Sequence, residues 1–202
     1  MNETVAKALC DANVVRFGDF ELASGRTSPI YIDLRILPSV PKSMEIIAEE
    51  LGKAVKKLGI TVVAGAETAG IPIAMAISLK TGLPMVYVRR RPKRYGTNSM
   101  IEGILTKEDK VVLVDDLITN GGSKLTFIDG IRQAGAEVKD VLVILDREQG
   151  GTETLEKEGI KLHSLITLKE LLDYMKSNKL LIEEQYNNVI AYLENPEAWE
   201  AK

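Results

Sequence analysis

Two adjacent carboxylates, Asp115 and Asp116, directly follow the apolar run Val111–Val114. A turn of small and polar residues, Thr119–Ser123, comes next and opens a segment with helical spacing. Where a buried strand ends and a helix begins, backbone N–H groups and the positive helix end form a binding site for phosphate. Two acids would repel a bare phosphate, whereas they suit sugar hydroxyls or a hydrated magnesium ion. The pattern therefore predicts a phosphate site with sugar hydroxyls or magnesium beside it.

The common nucleotide-binding loops do not fit this segment. No two of the 16 glycines are separated by a single residue, which excludes the G-x-G-x-x-G pattern. Gly122 is followed by Ser123 rather than by lysine, which excludes the Walker A loop. The remaining alternative is an ordinary strand–turn–helix with a solvated pair of acids, and the thirteen residues Val111–Ser123 taken together argue against it.

The segment Val111–Ser123 resembles the 5-phosphoribosyl-1-diphosphate (PRPP) motif of the type I phosphoribosyltransferases. The resemblance implies that Asp115 and Asp116 act in catalysis by holding the ribose hydroxyls, and that Thr119–Ser123 cradle the 5-phosphate. It also implies a magnesium ion, held mainly by PRPP and water near the two acids. The PRPP-binding residues implied within the motif are Asp115, Asp116, Leu117, Ile118, Thr119, Asn120, Gly121, Gly122 and Ser123.

A second strand-to-helix junction, Gly65–Gly70, resembles the diphosphate loop of the same family. Some relatives have a lysine where this chain has Ala69, so the resemblance leaves the contact to backbone amides. An ordinary glycine-containing turn between a strand and a helix is the alternative for this segment.

The segment Arg89–Arg94 places five cations in six residues. The whole chain has 26 basic and 29 acidic residues, a net charge of −3, and the 21 basic residues outside this segment leave −8 for the rest. Cations this close repel one another, so a polyanion is the expected partner, although a solvated run of charge is the common alternative. The acidic balance and the lack of interleaved aromatic residues argue against nucleic acid. Diphosphate leaving a sugar is a small, dense polyanion and fits better.

Arg89–Gly96 resembles the catalytic loop of the orotate phosphoribosyltransferases. The resemblance implies that Lys93 is the main catalytic lysine of the loop. It implies diphosphate contacts for Arg89, Arg90 and Tyr95 as well. In the family, Arg89, Lys93 and Tyr95 would reach into the partner subunit's site while Arg90 serves its own. The resemblance therefore implies a homodimer that shares this basic loop.

The motifs above do not identify the base that accepts the phosphoribosyl group. Arg147 is the residue that indicates it. It follows the apolar run Val141–Leu145, so its guanidinium lies at the carboxyl edge of the predicted sheet and can offer a bidentate fork to a carboxylate. Orotate has such a carboxylate, whereas uracil, hypoxanthine and adenine do not. An ion pair between Arg147 and Glu148 at the surface is the alternative.

Two further segments, Phe17–Arg35 and Leu145–Gly151, resemble signatures of the orotate phosphoribosyltransferases. The resemblance places Arg147 on the orotate carboxylate, Thr119 beside the base and Tyr31 against the ring. Family members often have lysine where this chain has Ala23, so a cation near the diphosphate is missing.

Taken together, the resemblance covers roughly residues 14–175 and implies transfer of the 5-phosphoribosyl group from PRPP to orotate in pyrimidine biosynthesis. One alternative is a phosphoribosyltransferase for another nucleobase, against which Arg147 and the segment Gly18–Arg35 argue. A second is a non-catalytic regulator that uses this fold to sense PRPP or nucleotides, which would not need Lys93 in a basic loop.

The elements that position these residues alternate between strand and helix patterns, which predicts an α/β domain. Short β-branched runs predict strands of a parallel sheet at Thr61–Ala64, Met85–Val88, Val111–Val114 and Val141–Leu145. Helical spacing predicts helices at Lys42–Leu58, Ile71–Leu79, Ser123–Ala134 and Leu180–Leu193, and a capping box opens another at Thr167–Glu170.

An N-terminal helix with short strands at Val14–Leu22 and Ile30–Leu34 predicts a small cap over the sheet. The predicted fold is therefore type I phosphoribosyltransferase-like, with a central parallel sheet flanked by helices and an N-terminal cap, or hood. We expect one domain over residues 1–202, with about 1–40 in the cap, 41–175 in the core and 176–202 as the C-terminal helix.

Composition predicts a cytoplasmic protein that binds neither a membrane nor nucleic acid. Of the 202 residues, 45% are hydrophobic and 27% charged, close to the globular average. The longest uncharged stretch, Thr68–Leu79, has twelve residues, whereas a membrane span needs about twenty. The N-terminus lacks a signal-peptide pattern, and Cys10, the only cysteine, cannot form an internal disulfide. The single histidine, His163, is predicted to be structural.

Overall fold

The computed structural model describes residues 1–21, 25, 27–92 and 99–195. Within these residues the α-helices are α1 (Glu3–Asp11), α2 (Pro41–Val55), α3 (Gly70–Thr81), α4 (Gly122–Gln133), α5 (Gly151–Glu156), α6 (Leu168–Ser177) and α7 (Glu183–Glu194). The strands are β1 (Val15–Glu21), β2 (Thr27–Ile32), β3 (Val62–Ala66), β4 (Met85–Val88), β5 (Ile101–Glu102), β6 (Lys110–Ile118), β7 (Glu137–Asp146) and β8 (Lys161–Thr167). A 3-10 helix spans Leu34–Ser39.

The central sheet has the strand order β5-β4-β3-β6-β7-β8. Its neighbouring strands are parallel, apart from the short β5, which is antiparallel to β4. Parallel strands joined by helical crossovers have their carboxyl ends at one edge, so residues that follow the strands lie near one another. The predicted α/β fold with a largely parallel sheet is confirmed.

Both faces of the sheet are covered, and β6 shows how its sequence achieves this. Val112 and Val114 join a buried cluster with α1, α2, α3, α6 and α7, whereas Val111 and Leu113 join a second cluster with α4 and α5. Alternate side chains of a strand point to opposite faces, so the four-residue apolar run contributes to both layers. This double burial holds the end of β6, and the acids there, in a fixed place.

The first strands form a separate antiparallel hairpin, in which Val15 lies opposite Ile32 and Phe17 opposite Ile30. Ile30 and Ile32 are buried in the same cluster as α1, α2 and α7. The predicted strand over Ile30–Leu34 was wrong in its bounds, because β2 ends at Ile32. The Asp33 side chain accepts a hydrogen bond from the Arg35 amide at 3.2 Å and caps the 3-10 helix that follows.

The C-terminal part contains the two helices that the sequence predicts. α6 opens with the predicted capping box at Thr167 and ends before Lys179, whose φ of +58° is left-handed and breaks the helical path. The predicted helix over Leu180–Leu193 begins later, as α7. Residues 196–202 lie outside the described residues.

Two single residues, His163 and Cys10, have structural surroundings. The His163 Nε2 atom lies 2.7 Å from an Asp140 carboxylate oxygen on the neighbouring strand. Cys10 is half-buried on α1 and packs against the core. Among the helices of the described ranges, none is long and apolar enough to cross a membrane.

Candidate active site

A cavity of about 460 Å³ opens at the carboxyl ends of β3, β4 and β6. Four separate segments contribute charged side chains to its lining, which includes Arg35, Glu67, Arg90, Asp115, Asp116 and Lys124. The cavity therefore lies at the sheet edge where ligands bind in open α/β folds.

The turn predicted to hold phosphate leads from β6 into α4, and Thr119 and Ser123 line the cavity. Gly121 has a φ of +82°, and a Cβ there would lie 3.3 Å from the carbonyl oxygen of Gly151. Both observations favour glycine at this position. The Asn120 side chain accepts a hydrogen bond from the Gly122 amide at 3.2 Å, which shapes the turn.

The other members of the predicted PRPP motif are divided between cavity and core. Leu117 lines the cavity, whereas Ile118 is buried in the cluster beneath α4 and α5. Asn120, Gly121 and Gly122 lie outside the lining among the described residues, so their part in a phosphate site would be through the backbone.

The two acids of the motif have different surroundings. Asp115 is buried, and its Oδ2 atom lies 2.5 Å from the Nζ of Lys124, which is buried as well. Its other oxygen accepts a hydrogen bond from the Asp116 amide at 2.9 Å. Asp116 accepts one from the Leu117 amide at 2.7 Å. Burial, followed by the neighbouring charge of Asp115, raises the pKa of Asp116 to about 6.

Lys124 is a site residue that the sequence reasoning missed. It lies in the first turn of α4, where the helix dipole disfavours a cation. A lysine directly after the phosphate turn could have been noticed for that reason, since a nearby carboxylate favours a cation placed there. The pair with Asp115 leaves the adjacent acids with one balancing positive charge inside the protein.

The junction resembling a diphosphate loop also reaches the cavity, through Thr68 and Ala69. The peptide bond between Glu67 and Thr68 is cis. The Glu67 carboxylate accepts a hydrogen bond from the Arg90 amide at 2.8 Å, so this junction is tied to the start of the basic segment. A Cβ at Gly70 would overlap the carbonyl oxygen of Val114, so α3 packs directly against β6 at this point.

The structure describes the basic segment only as far as Pro92. Arg90 lines the cavity, whereas Arg89 lies beside it and has its guanidinium 3.5 Å from Glu102. The Arg89 amide donates to the Met100 carbonyl at 2.8 Å. Lys93 and Tyr95, predicted to act on the diphosphate, lie outside the described residues, as does Ala23.

Of the residues predicted to bind the base, Thr119 lines the cavity, whereas Arg147 and Tyr31 lie beside it. The Arg147 amide donates to the Ile118 carbonyl at 3.0 Å, which brings it next to the PRPP motif. The Tyr31 hydroxyl accepts a hydrogen bond at 2.7 Å from Arg35, which does line the cavity. The Tyr31 ring lies 5.4 Å from that of Phe20.

Arg147 is more enclosed than a surface arginine. Burial lowers the pKa of its guanidinium. Within the described ranges, no ion pair joins it to Glu148, so the alternative of a surface pair is wrong. In the described part of the chain, two buried side-chain nitrogens have no hydrogen-bond partner, the Nε atoms of Arg89 and Arg147.

The sequence matches the phosphoribosyl transferase domain family over residues 35–177. The chain belongs to this family and, within it, to the orotate phosphoribosyltransferases.

Among its relatives, the orotate phosphoribosyltransferase of Pyrococcus abyssi is 39% identical over 175 residues, which cover 86% of this chain and 96% of that protein. The orotate phosphoribosyltransferase of Methanosarcina acetivorans is 43% identical over 165 residues, 82% of this chain and 88% of that protein. Among solved structures, Leishmania donovani UMP synthase has a TM-score of 0.86 at 37% identity and covers 96% of this chain, which spans 42% of the UMP synthase chain. The orotate phosphoribosyltransferase from Aeropyrum pernix has a TM-score of 0.73 at 34% identity, with 86% of this chain and 98% of that one covered.

Proposed function

We propose that this protein transfers the 5-phosphoribosyl group from PRPP to orotate, giving orotidine 5′-monophosphate and diphosphate. Relatives named for this activity are 39% and 43% identical over most of the chain. The observation that carries the proposal is the pair of unpartnered, buried Nε atoms, one on Arg89 and one on Arg147. Leaving a buried N–H unsatisfied costs about 1–3 kcal/mol, and an anionic substrate group would remove that cost.

The two arginines match two of the anionic groups of the reaction. Arg89 begins the basic segment implied for the diphosphate, and Arg147 is the residue implied for the orotate carboxylate. A carboxylate is planar and takes two parallel N–H donors from one guanidinium, which gives direction as well as affinity. Uracil and the purine bases lack this group, so Arg147 favours orotate as the acceptor.

The ribose and 5-phosphate are assigned to the PRPP motif. Asp115 and Asp116 receive the ribose hydroxyls, and the turn at Thr119–Ser123 offers backbone N–H groups to the phosphate at the start of α4. Lys124 balances the charge of Asp115 and so reduces the repulsion that two bare acids would exert on a phosphate. An orotate phosphoribosyltransferase from Mycobacterium tuberculosis, 29% identical and with a TM-score of 0.69, has a structure in complex with PRPP, which supports PRPP as the donor.

Magnesium is the proposed cofactor. Within the described ranges no group of histidine, cysteine and acidic residues could hold a metal ion by itself. Magnesium keeps several waters and is bound by one or two carboxylates together with substrate phosphates, which suits Asp115 and Asp116 in the cavity. The ion would enter with PRPP, held mainly by substrate oxygens and water, and would neutralise charge on the diphosphate.

The chemistry places modest demands on the protein. Breaking the bond between C1 and the diphosphate oxygen develops positive charge on the ribose and negative charge on the leaving group, and orotate attacks C1 with inversion. Orotate is already an anion, so a strong protein base is unnecessary. The chain orients both substrates, neutralises the leaving diphosphate through Lys93, Arg89 and Arg90, and excludes water when the basic loop closes.

A homodimer that shares the basic loop is part of the proposal, with the cytoplasm as its location. Helix α3 supports the dimer because it is apolar on most sides, yet Met75 is 48% exposed and Leu79 is 79% exposed. A helix that is apolar all round is normally buried, so this face suits a second copy of the chain.

The test is an absorbance assay. The protein is mixed with orotate, PRPP and magnesium, and loss of orotate absorbance is followed, with uracil, adenine and hypoxanthine as alternative acceptors. Of the four bases, we expect turnover only with orotate. Turnover with another base and none with orotate would contradict the acceptor assignment, and PRPP binding without turnover of any base would favour a sensor.

A further inference from the structure

Arg35 lines the cavity from a position just after the cap hairpin, far along the chain from the PRPP motif. It is the second residue of the 3-10 helix Leu34–Ser39, and this helix contacts β6, the strand that carries the two acids. Leu34 is 1% exposed and Leu37 is fully buried. The backbone of Arg35 is therefore fixed between buried side chains at the edge of the cavity.

The guanidinium of Arg35 is held by two neighbours from the end of the cap. Its Nε donates to the Asp33 carboxylate at 2.7 Å, and its Nη2 donates to the Tyr31 hydroxyl at 2.7 Å. The same Asp33 oxygen accepts from the Arg35 amide at 3.2 Å, so Asp33 fixes both the backbone and the side chain. The hydrogen bond from the Arg35 side chain lowers the pKa of the Asp33 carboxyl, which is therefore ionised at neutral pH.

These contacts leave part of the guanidinium available to a ligand. An arginine has five N–H donors in a planar fork, and the two contacts use one on Nε and one on Nη2. Within the described ranges, no hydrogen bond or ion pair occupies the Nη1 nitrogen of Arg35, whose side chain is 58% exposed. Because Asp33 and Tyr31 already set the plane of the fork, less side-chain entropy is lost when an anion binds to it.

The other groups of the cavity indicate which anion Arg35 can reach. In PRPP the diphosphate is attached to C1, next to the hydroxyl on C2, whereas the 5-phosphate lies on the far side of the ribose. With the ribose hydroxyls at the acids of β6, the diphosphate is placed beside that strand, where Thr68 and Arg90 line the same cavity. The 5-phosphate is assigned to the turn after β6 and the orotate carboxylate to Arg147, which leaves the diphosphate for Arg35.

We propose that Arg35 is a substrate-binding residue that donates from its Nη1 and Nη2 nitrogens to the diphosphate of PRPP. The inference rests on the proposed function and adds a third segment to the diphosphate site, besides the junction Gly65–Gly70 and the basic segment. Arginine suits this role because its fork can donate two parallel hydrogen bonds to phosphate oxygens. Asp33 and the Tyr31 hydroxyl are then positioning groups that act through Arg35.

The experiment compares Arg35→Gln with Arg16→Gln in the full chain. Arg16 is an exposed arginine on β1 opposite Tyr31, and in the described part of the chain it does not line the cavity. We expect Arg35→Gln to raise the Kd for PRPP and for inorganic diphosphate about tenfold, equivalent to about 1.4 kcal/mol, as calorimetry with magnesium would measure. Arg16→Gln makes the same charge change in the same hairpin and should alter either Kd by less than about twofold.

Two further ligands separate a diphosphate contact from other roles of Arg35. Ribose 5-phosphate has the 5-phosphate without the diphosphate, so its Kd should stay within about twofold in Arg35→Gln. The Kd for orotate should also stay within about twofold, because the Tyr31 ring keeps its contact with the Phe20 ring. The melting temperature should change by less than about 4 °C, since an ion pair as exposed as that of Arg35 and Asp33 contributes little to stability.

Arg35→Lys is the second variant, which keeps the charge and replaces the planar fork by a single ammonium group. It cannot hold Asp33 and Tyr31 in one plane while donating to a diphosphate, so the Kd for inorganic diphosphate should rise about threefold. Binding by Arg35→Lys as tight as that of the wild type would contradict the role of the fork.

Three results for Arg35→Gln would overturn the inference: an unchanged Kd for inorganic diphosphate, an equal rise in the Kd for ribose 5-phosphate, or a rise confined to orotate. Failure of the proposed function is a separate outcome, because the wild-type protein would then turn over no orotate. Calorimetry with PRPP and inorganic diphosphate still decides the role of Arg35 in that case, since neither measurement requires turnover. A wild-type protein that binds no diphosphate would overturn the inference as well.

Discussion

The half of the site assigned to ribose and phosphate lies within one stretch of chain, whereas the half assigned to the base is assembled from distant ones. Asp115, Asp116 and Lys124 belong to a single strand–turn–helix. Tyr31 and Arg147 lie on the cap hairpin and after β7, respectively. The two halves thus depend on different kinds of interaction for their geometry.

The two halves differ in the interactions that hold their residues in place. The PRPP motif satisfies its own polar groups locally, through the hydrogen bond from the Asp116 amide to Asp115 and the ion pair of Asp115 with Lys124. Arg147 is placed instead by a contact between two segments, the hydrogen bond from its amide to the Ile118 carbonyl on β6 at 3.0 Å. We expect changes in the motif to affect PRPP and catalysis, and changes in long-range packing to affect orotate.

The largest effect should come from Lys93→Ala, in the loop implied for the leaving group. Removing a cation that stabilises charge in the transition state should lower kcat by about 10³-fold and leave orotate affinity within about twofold. Steady-state kinetics and calorimetry measure the two quantities. Arg91→Ala is the matched control, because Arg91 is an exposed cation of the same segment. Equal losses in rate and in orotate affinity would contradict a leaving-group role for Lys93.

Arg147→Ala tests the base half. Loss of a bidentate, charge-assisted contact should lower kcat/KM for orotate by about 100-fold, while the KM for PRPP stays within about threefold. The control is Arg132→Ala, since Arg132 pairs with Glu158 well away from the cavity lining. Undiminished orotate affinity would remove Arg147 from the site.

Asp116→Asn separates function from stability in the motif. Because burial and Asp115 raise the pKa of Asp116 to about 6, its negative charge is unfavourable in the folded protein at neutral pH. The substitution should raise the free energy of unfolding by about 1–3 kcal/mol at pH 7 while weakening PRPP binding, as denaturation and binding assays would measure. Asp129→Asn, at an exposed acid on α4, should change neither. A destabilised Asp116→Asn would contradict the unfavourable charge.

The smallest predicted effect is a pH dependence of the difference in stability between Asp116→Asn and the wild type. The folded protein holds the proton of Asp116 more tightly than the unfolded chain, in which the ordinary pKa is 3.8. The resulting stabilisation is complete below about pH 4 and is lost as pH rises through about 6. The stability advantage of Asp116→Asn over the wild type should therefore shrink as pH falls from 7 to 4, by about 1.4 kcal/mol for each unit of pKa shift. A difference that does not vary with pH would contradict the raised pKa.

The amino-acid sequence by itself determined the alternation of strands and helices and the PRPP motif. Both depend on local information, because β6 is a contiguous apolar run and the phosphate turn has glycines where its backbone needs them. The bounds of β2 and of α7 were less accurate, since Asp33 caps the 3-10 helix that follows β2, and Ile182 is still extended just before the first turn of α7. These are side-chain and backbone choices that hydrophobic spacing does not record.

Only the tertiary structure decided which charged groups are paired and which are buried without a partner. It paired Lys124 with Asp115 and left the Nε atoms of Arg89 and Arg147 buried without partners. The physical reason is that burial and hydrogen bonding depend on which segments pack together, and these segments are separated by many residues. Residue types in the sequence indicated which groups could act, whereas packing determined which of them are neutralised, held or left ready for an anionic ligand.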